Sequence, residues 1–154
     1  MEFFRDLFNN VIFASAAWGW LFAQILKTII HIILNKKFVA ERLIGDGGMP
    51  SSHSATVSAL ATATYLNYGA GSCEFAIALI LALIVMHDAM GVRRETGIHA
   101  SILNEMMETF EKMGHQELSP EDKLKEFVGH TPLQVLMGAL LGVTIAIFMN
   151  VTIH

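Results

Sequence analysis

Apolar residues in this chain run in long blocks separated by polar stretches, and the block lengths set the first expectation. Val11 to Leu34 is apolar except for a few positions, Lys27 and His31 among them. Cys73 to Val92 has an unbroken apolar centre from Ala76 to Met86, and Thr131 to Ile153 forms another block. Each is long enough to cross a bilayer core of roughly 30 Å as a helix of about 20 residues. A fourth segment, Ser54 to Tyr68, is rich in Ala, Thr and Ser. That composition fits a helix packed against other helices better than one bathed in lipid.

Between the last two spans the pattern changes. Ile98, Ile102, Leu103, Met106, Met107, Phe110 and Met113 recur at helical spacing, with Glu105, Glu108, Glu111 and Lys112 on the other face. This predicts an amphipathic helix of about four turns ending near Gly114, lying at the interface or on the bundle. Ser119-Pro-Glu-Asp122 reads as the start of a second short helix, with Ser as cap and Pro in the first turn. The first residues carry acids, and no small-residue cleavage site follows, so they do not read as a signal peptide. The predicted fold class is all-α: an integral membrane helical bundle of about four spans plus a cytoplasmic amphipathic helix, with residues 1–154 as a single membrane-embedded domain.

Composition narrows the function classes. Of 154 residues, 53% are hydrophobic and 16% charged, against roughly 25% charged in an ordinary soluble domain. Mean hydropathy is +0.50. A net charge of −4 excludes a broad nucleic-acid-binding surface. The one cysteine, Cys73, excludes an intrachain disulfide framework and a Cys-rich zinc site.

Four spans divide the connections between two sides. Lys36, Lys37, Arg42, Arg93, Arg94, Lys112, Lys123 and Lys125 all fall on the side that holds 35–53 and 93–130, whereas Arg5 falls on the other. The positive-inside rule places the basic side in the cytoplasm. The expected location is the plasma (inner) membrane of a bacterium.

That same side gathers the residues capable of chemistry. Gly45-Asp-Gly-Gly-Met-Pro-Ser-Ser-His-Ser54 precedes a helix; its glycines and first-turn amides suit an anion, with Gly48, Ser51 and Ser52 beside His53. It lacks the Gly-Lys-Ser/Thr of a nucleotide P-loop, and its bland reading is a Gly-Pro turn with a Ser cap. Asp88 sits at the end of an apolar helix, where a carboxylate is costly unless it faces partners or a cavity. Arg93 and Arg94 follow it and suit phosphate, although a lone basic pair is more often an interfacial anchor. His130 stands at the mouth of the last span, with Gln134 one turn on and a small-residue strip at Gly138 and Gly142. Lys27, inside the first span, must snorkel, pair or line a cleft. Two histidines, two arginines and a Gly-Ser turn at one membrane face suit phosphoryl transfer, in which one His attacks phosphorus and the other protonates the leaving oxygen.

The strings Gly-Gly-Met-Pro-Ser-Ser-His-Ser (47–54), Asp-Ala-Met-Gly-Val-Arg-Arg (88–94), Gly-His-Thr-Pro-Leu (129–133) and Ala23-Gln-Ile-Leu-Lys27 span nearly the whole chain. Together they resemble the divergent branch of the type 2 phosphatidic-acid phosphatase family, related to acid phosphatases and vanadium-dependent haloperoxidases. The resemblance implies His130 as nucleophile, His53 as acid/base, and Ser51 with neighbouring amides on the phosphate. Pro50-Ser51-Ser52-His53 fits the wider family's Pro-Ser-Gly-His with Ser for Gly. The wider family's His-x-x-x-Asp finds its His at His130 but Gln134 where the acid would stand. Lys-x6-Arg-Pro is absent at that spacing, leaving Lys27 and Arg42 as candidates for its role. Position 124 is Leu where an Arg would precede the nucleophile, leaving Arg93 and Arg94 to substitute.

The expected activity is a phosphatase acting without metal or other cofactor on a phospholipid or isoprenoid phosphate held in the bilayer, with no nucleic-acid partner and oligomerisation left open. The rival from another class is a non-catalytic membrane protein that binds anionic lipid or a partner through the same basic pocket.

Overall fold

The computed structural model describes residues 2–36, 48–113, 124 and 129–153, with the side chain of Arg93 left out. Six helices follow in order: α1 (Glu2–Asn9), α2 (Val11–Asn35), α3 (Ser52–Tyr68), α4 (Cys73–Met90), α5 (Val92–Lys112) and α6 (Pro132–Ile153). Among the described residues, α2, α6 and the helical stretch that opens with α4 are long and apolar enough to cross a membrane. The fourth expected span, α3, has 17 residues and is not among them; its surroundings show what it does instead.

α3 is the axis of the bundle. It packs against α2, α4 and α6, and α2 also touches α6. Its buried face is made of Ser54, Ala55, Val57, Ser58, Ala59, Ala61, Ala63 and Thr64. Large apolar side chains point the other way, out of the bundle: Ile77, Leu83, Leu140 and Phe148 are all exposed. Small inside and large outside is the arrangement expected when lipid is the solvent, because close backbone approach and van der Waals packing drive association there.

Two glycines show how close the approach is. A Cβ on Gly142 of α6 would strike the Ala55 carbonyl oxygen and come within 2.9 Å of the Ala59 nitrogen. From α2, a Cβ on Gly19 would lie 2.9 Å from that same carbonyl and 3.1 Å from the Ala59 Cβ. Gly138 meets the Ser51 carbonyl and the Ser54 Cβ one turn earlier, so the predicted small-residue strip of α6 is the seam with α3. Ala146 continues that seam against Ala59 and Ala63. α4 covers another face of α3 through Ala78 and Ala82 against Val57 and Ala61.

Two boundaries differ from the sequence expectation. The third span stops at Met90, and α5 begins at Val92 after a break at Gly91, so the arginine pair lies in the first turn of α5 and not at the end of the span. α1 was not foreseen. Asn10 caps the next helix, its Oδ1 accepting from the Ile12 and Phe13 amides at 3.0 and 3.1 Å, and so separates α1 from α2. The amphipathic helix is present as α5, with Ile98, Ile102, Met106 and Phe110 exposed. On its buried side, Asn104 grips a distant segment: Nδ2 donates to the Leu124 carbonyl at 2.9 Å and Oδ1 accepts the Leu124 amide at 3.0 Å. The short helix expected from Ser119 lies outside the described residues.

Candidate functional site

The start of α6 fixes His130. Thr131-Pro-Leu-Gln134 forms a capping box: the Thr131 amide donates to Gln134 Oε1 at 3.0 Å, and the Gln134 amide donates to Thr131 Oγ1 at 3.4 Å. Just before it, the His130 backbone amide donates to the Ala89 carbonyl at 3.0 Å, tying the loop to the end of α4. The His130 side chain is 1% exposed.

The capping box also decides the tautomer of His130. A backbone amide can only donate, so the Gln134 atom facing Thr131 is the carbonyl oxygen. That same oxygen lies 3.3 Å from His130 Nδ1. Nδ1 therefore carries the proton in this bond, and the lone pair of the neutral ring sits on Nε2. Gln134 thus takes the orienting part of the acid that the resemblance calls for, without its charge.

The start of α3 is bolted to the same place. Ser51 is fully buried; its amide donates to the Gln134 carbonyl at 3.0 Å. Its Oγ caps α3 by accepting the Ser54 amide at 3.3 Å, and it also receives the Ser54 hydroxyl at 3.0 Å. The Ser-cap reading was therefore right about Ser51, yet with two bonds accepted its own O–H proton is left to donate elsewhere. The N-termini of α3 and α6 lie side by side, and both helix dipoles turn their positive ends to this corner. Ser52 and His53 form the first turn of α3. The His53 and His130 rings lie 6.0 Å apart between centroids, inclined at 60°. Residues far apart in the chain thus place two imidazoles beside two helix N-termini.

The other expected residues fall around this pair. Lys27 is 3% exposed. Its stem passes Gly48, where a Cβ would come within 3.1 Å of Lys27 Cγ; Gly48 holds φ +86°, a conformation open to glycine. Asp88 is half-buried and, with Leu83, Ile84, Met90 and Val135, lines an open and mainly apolar groove of about 620 Å³. Since Gln134 Oε1 holds Nδ1, Asp88 is not needed for the orienting bond. Arg94 meets the site through its backbone, against which Gly129 passes with no room for a Cβ, and its side chain is exposed. Arg42 and the Arg93 side chain lie outside the described residues.

Residues 8–145 match the Divergent PAP2 family. The chain belongs to that family. A Bacillus subtilis (strain 168) protein described as uncharacterized membrane protein YuiD is similar to this divergent PAP2 chain at 36% identity over 152 residues, covering 94% of this chain and 96% of its own. No solved structure matches at a significant level. Like that relative, this divergent PAP2 protein is an integral membrane protein.

Two features of the site escaped the sequence reading. The capping box is written in the sequence as Thr-x-x-Gln, next to a Pro132 that by itself already fits a first helical turn. The Ser51–Gln134 backbone bond joins residues 83 positions apart, and no local pattern announces it.

Proposed function

We propose that this divergent PAP2 protein is a metal-independent phosphatase acting on a lipid-borne phosphomonoester or diphosphate through a phosphohistidine. The observation that carries this reading is the buried His130, whose Nε2 lone pair is set by Gln134, with the His53 ring 6.0 Å away at two converging helix N-termini. In the first step the Nε2 lone pair bonds to phosphorus, the ester P–O bond breaks, and a protonated His53 gives its proton to the leaving alkoxide. In the second step His53 takes a proton from water as the water oxygen attacks, and the N–P bond breaks to release inorganic phosphate. Charge on the phosphoryl oxygens is met by the helix N-termini, the Ser51 hydroxyl and Lys27. The groove beside Asp88 opens between α4 and α6, within spans that lipid surrounds, and gives an apolar chain a place next to Gln134's neighbour Val135. The site faces the cytoplasm of a bacterial plasma membrane, on the charge distribution of the connections.

The test is phosphate release from mixed phospholipid micelles with divalent ions chelated, together with trapping of acid-labile label from a radioactive substrate. Wild type should release phosphate, accept label and be inhibited by vanadate, which adopts the five-coordinate geometry of in-line transfer. His130→Ala should lose turnover and label together. Label undiminished in that variant would move the nucleophile elsewhere. Gln134 in place of an acid favours one second reading, in which the same pocket binds an anionic lipid without turning it over; saturable lipid binding with no release by wild type would establish it.

A further inference from the structure

Gln24 carries a polar atom that the proposed chemistry does not use. It lies in a membrane-spanning helix, is 6% exposed, and its Oε1 is buried with no hydrogen-bond partner. The residues around it on the same stripe of α2, Ala23, Lys27 and Thr28, are also buried. Thr28 does not answer it, because the Thr28 hydroxyl returns to the Gln24 backbone carbonyl at 2.8 Å. Buried polar atoms are nearly always paired, and in a hydrocarbon setting leaving one unpaired is costly. Leu or Met would fill the position at no such cost, so the amide is unexplained by packing.

Its height in the bundle is that of the candidate site. α2 and α3 run antiparallel, with Gly19 against Ala55 and Ala59 and Lys27 against Gly48. Five residues on from Gly19, at 1.5 Å per residue, Gln24 stands about 7.5 Å nearer the site end. That is the level of the first turn of α3, where Ser52 and His53 are. One turn further along the same stripe is Lys27. The helix therefore offers a cation and, just deeper, an amide oxygen that accepts hydrogen bonds.

The chemistry of the acceptor selects the ligand. A phosphate dianion presents acceptors only and is no complement to Oε1. The complement is an O–H group close to the phosphorus. We propose that Gln24 recognises a hydroxyl on the organic group esterified to the phosphate, so that the site prefers glycerol-type phosphate esters to isoprenyl or plain alkyl phosphates. This rests on the reading of the His53–His130 corner as a phosphatase site.

The experiment compares two substrates of matched chain length in mixed micelles, using the purified full-length protein. One is a 1-acyl glycerol phosphate with its neighbouring hydroxyl unblocked; the other is hexadecyl phosphate. Wild type should favour the first in kcat/KM. Gln24→Met, which keeps the length of the side chain and removes the acceptor, should lower kcat/KM for the hydroxylated ester about three- to tenfold, the range of one neutral hydrogen bond. It should leave hexadecyl phosphate within about twofold and leave the unfolding midpoint unchanged or raised, since an unpaired buried carbonyl oxygen has gone. Gln24→Leu should repeat the pattern. An equal change on both substrates, no change on either, or a lowered midpoint with both activities falling together would overturn the proposal. Wild type inert towards both would overturn the phosphatase reading instead. Gln24 is then read by binding: the hydroxylated lipid should raise the unfolding midpoint of wild type and not of Gln24→Met, and an equal rise in both would overturn its role.

Discussion

Gly142→Ala adds one methyl group to α6, and the structure says where it must go. Its new neighbours are backbone atoms of α3: the Ala55 carbonyl oxygen, the Ala59 nitrogen at 2.9 Å and the Ala55 carbonyl carbon at 3.0 Å. Ordinary contact between such atoms begins at about 3.5 Å, so α6 must retreat by roughly 0.5–1 Å. No flexible side chain can absorb that movement, because the obstacles are backbone atoms of a helix that Gly19 of α2 also meets at Ala55. A gap of about that size forfeits a quarter to a half of each dispersion contact along the seam, which also includes Gly138 against Ser51 and Ala146 against Ala63. Overpacking costs about 1–3 kcal/mol, and the rigid obstacle puts this case near the upper end. At about 2–4 °C per kcal/mol for a chain of this size, the unfolding midpoint should fall by roughly 5–10 °C. Fluorescence of Trp18 and Trp20 during heating in detergent micelles reads it. Gly71→Ala is the control, because a Cβ there meets nothing within 4 Å. Midpoints for the two variants within about 1 °C of each other would refute the account of the seam. Because α6 carries His130 and α3 carries His53, turnover should fall as well, on the order of a hundredfold for a misplacement near 1 Å.

Three further outcomes follow from local geometry. Gln134→Glu keeps both acceptors of the capping box and adds a negative charge at a helix N-terminus, so it should stabilise by about 0.3–1 kcal/mol and raise turnover by offsetting the positive charge that the His130 ring gains as Nε2 bonds to phosphorus; lower turnover with intact folding would contradict the assigned Nδ1–H donor. Asn104→Ala removes both bonds to Leu124 and should cost about 1–3 kcal/mol, seen as faster proteolysis between α5 and α6, whereas an unchanged cleavage rate would show that the clamp holds nothing. Gly48→Ala forces a Cβ into φ +86° beside the Lys27 stem, and the strain of about 1–3 kcal/mol should appear as a lower unfolding midpoint, an unshifted one being the refuting result.

The spans were legible because bilayer thickness writes itself into run length, and α3 because Ala, Ser and Thr in one stretch signal close packing. Gly138 and Gly142 announced a seam but not its partner, since nothing near Ala55 in sequence marks it as the residue between two glycines. α1 is eight residues long, too short for periodicity to separate it from a charged terminus with phenylalanines. The break at Gly91 falls close to the expected end of the span at Val92, but the arginines, expected to close that span, belong to the first turn of α5, because the flank after Gly91 favours helix as much as the flank before it. At the site, His53, His130 and Ser51 were found from motif and side of the membrane. What stayed invisible was who holds whom: a Gln that orients a ring and caps a helix at once looks in sequence like the loss of an acid.

α3 has a further consequence through its length. Seventeen residues span about 25 Å, short of a hydrocarbon core of roughly 30 Å. At its far end Tyr65 and Tyr68 are exposed, as aromatic residues are where membrane meets water. The shortfall therefore falls at the Ser51 end of α3, while the 22 residues of α6, about 33 Å long, run on past it towards His130. On the phosphatase reading, a phosphorylated lipid would meet the two histidines at this step in the bundle while its chain stays in oil. Lifting a sixteen-carbon chain into water instead would cost roughly 13 kcal/mol, at about 0.8 for each methylene. A site reached from the oily side of the bundle would, on the phosphatase reading, find water, and not the lipid, the scarce reactant.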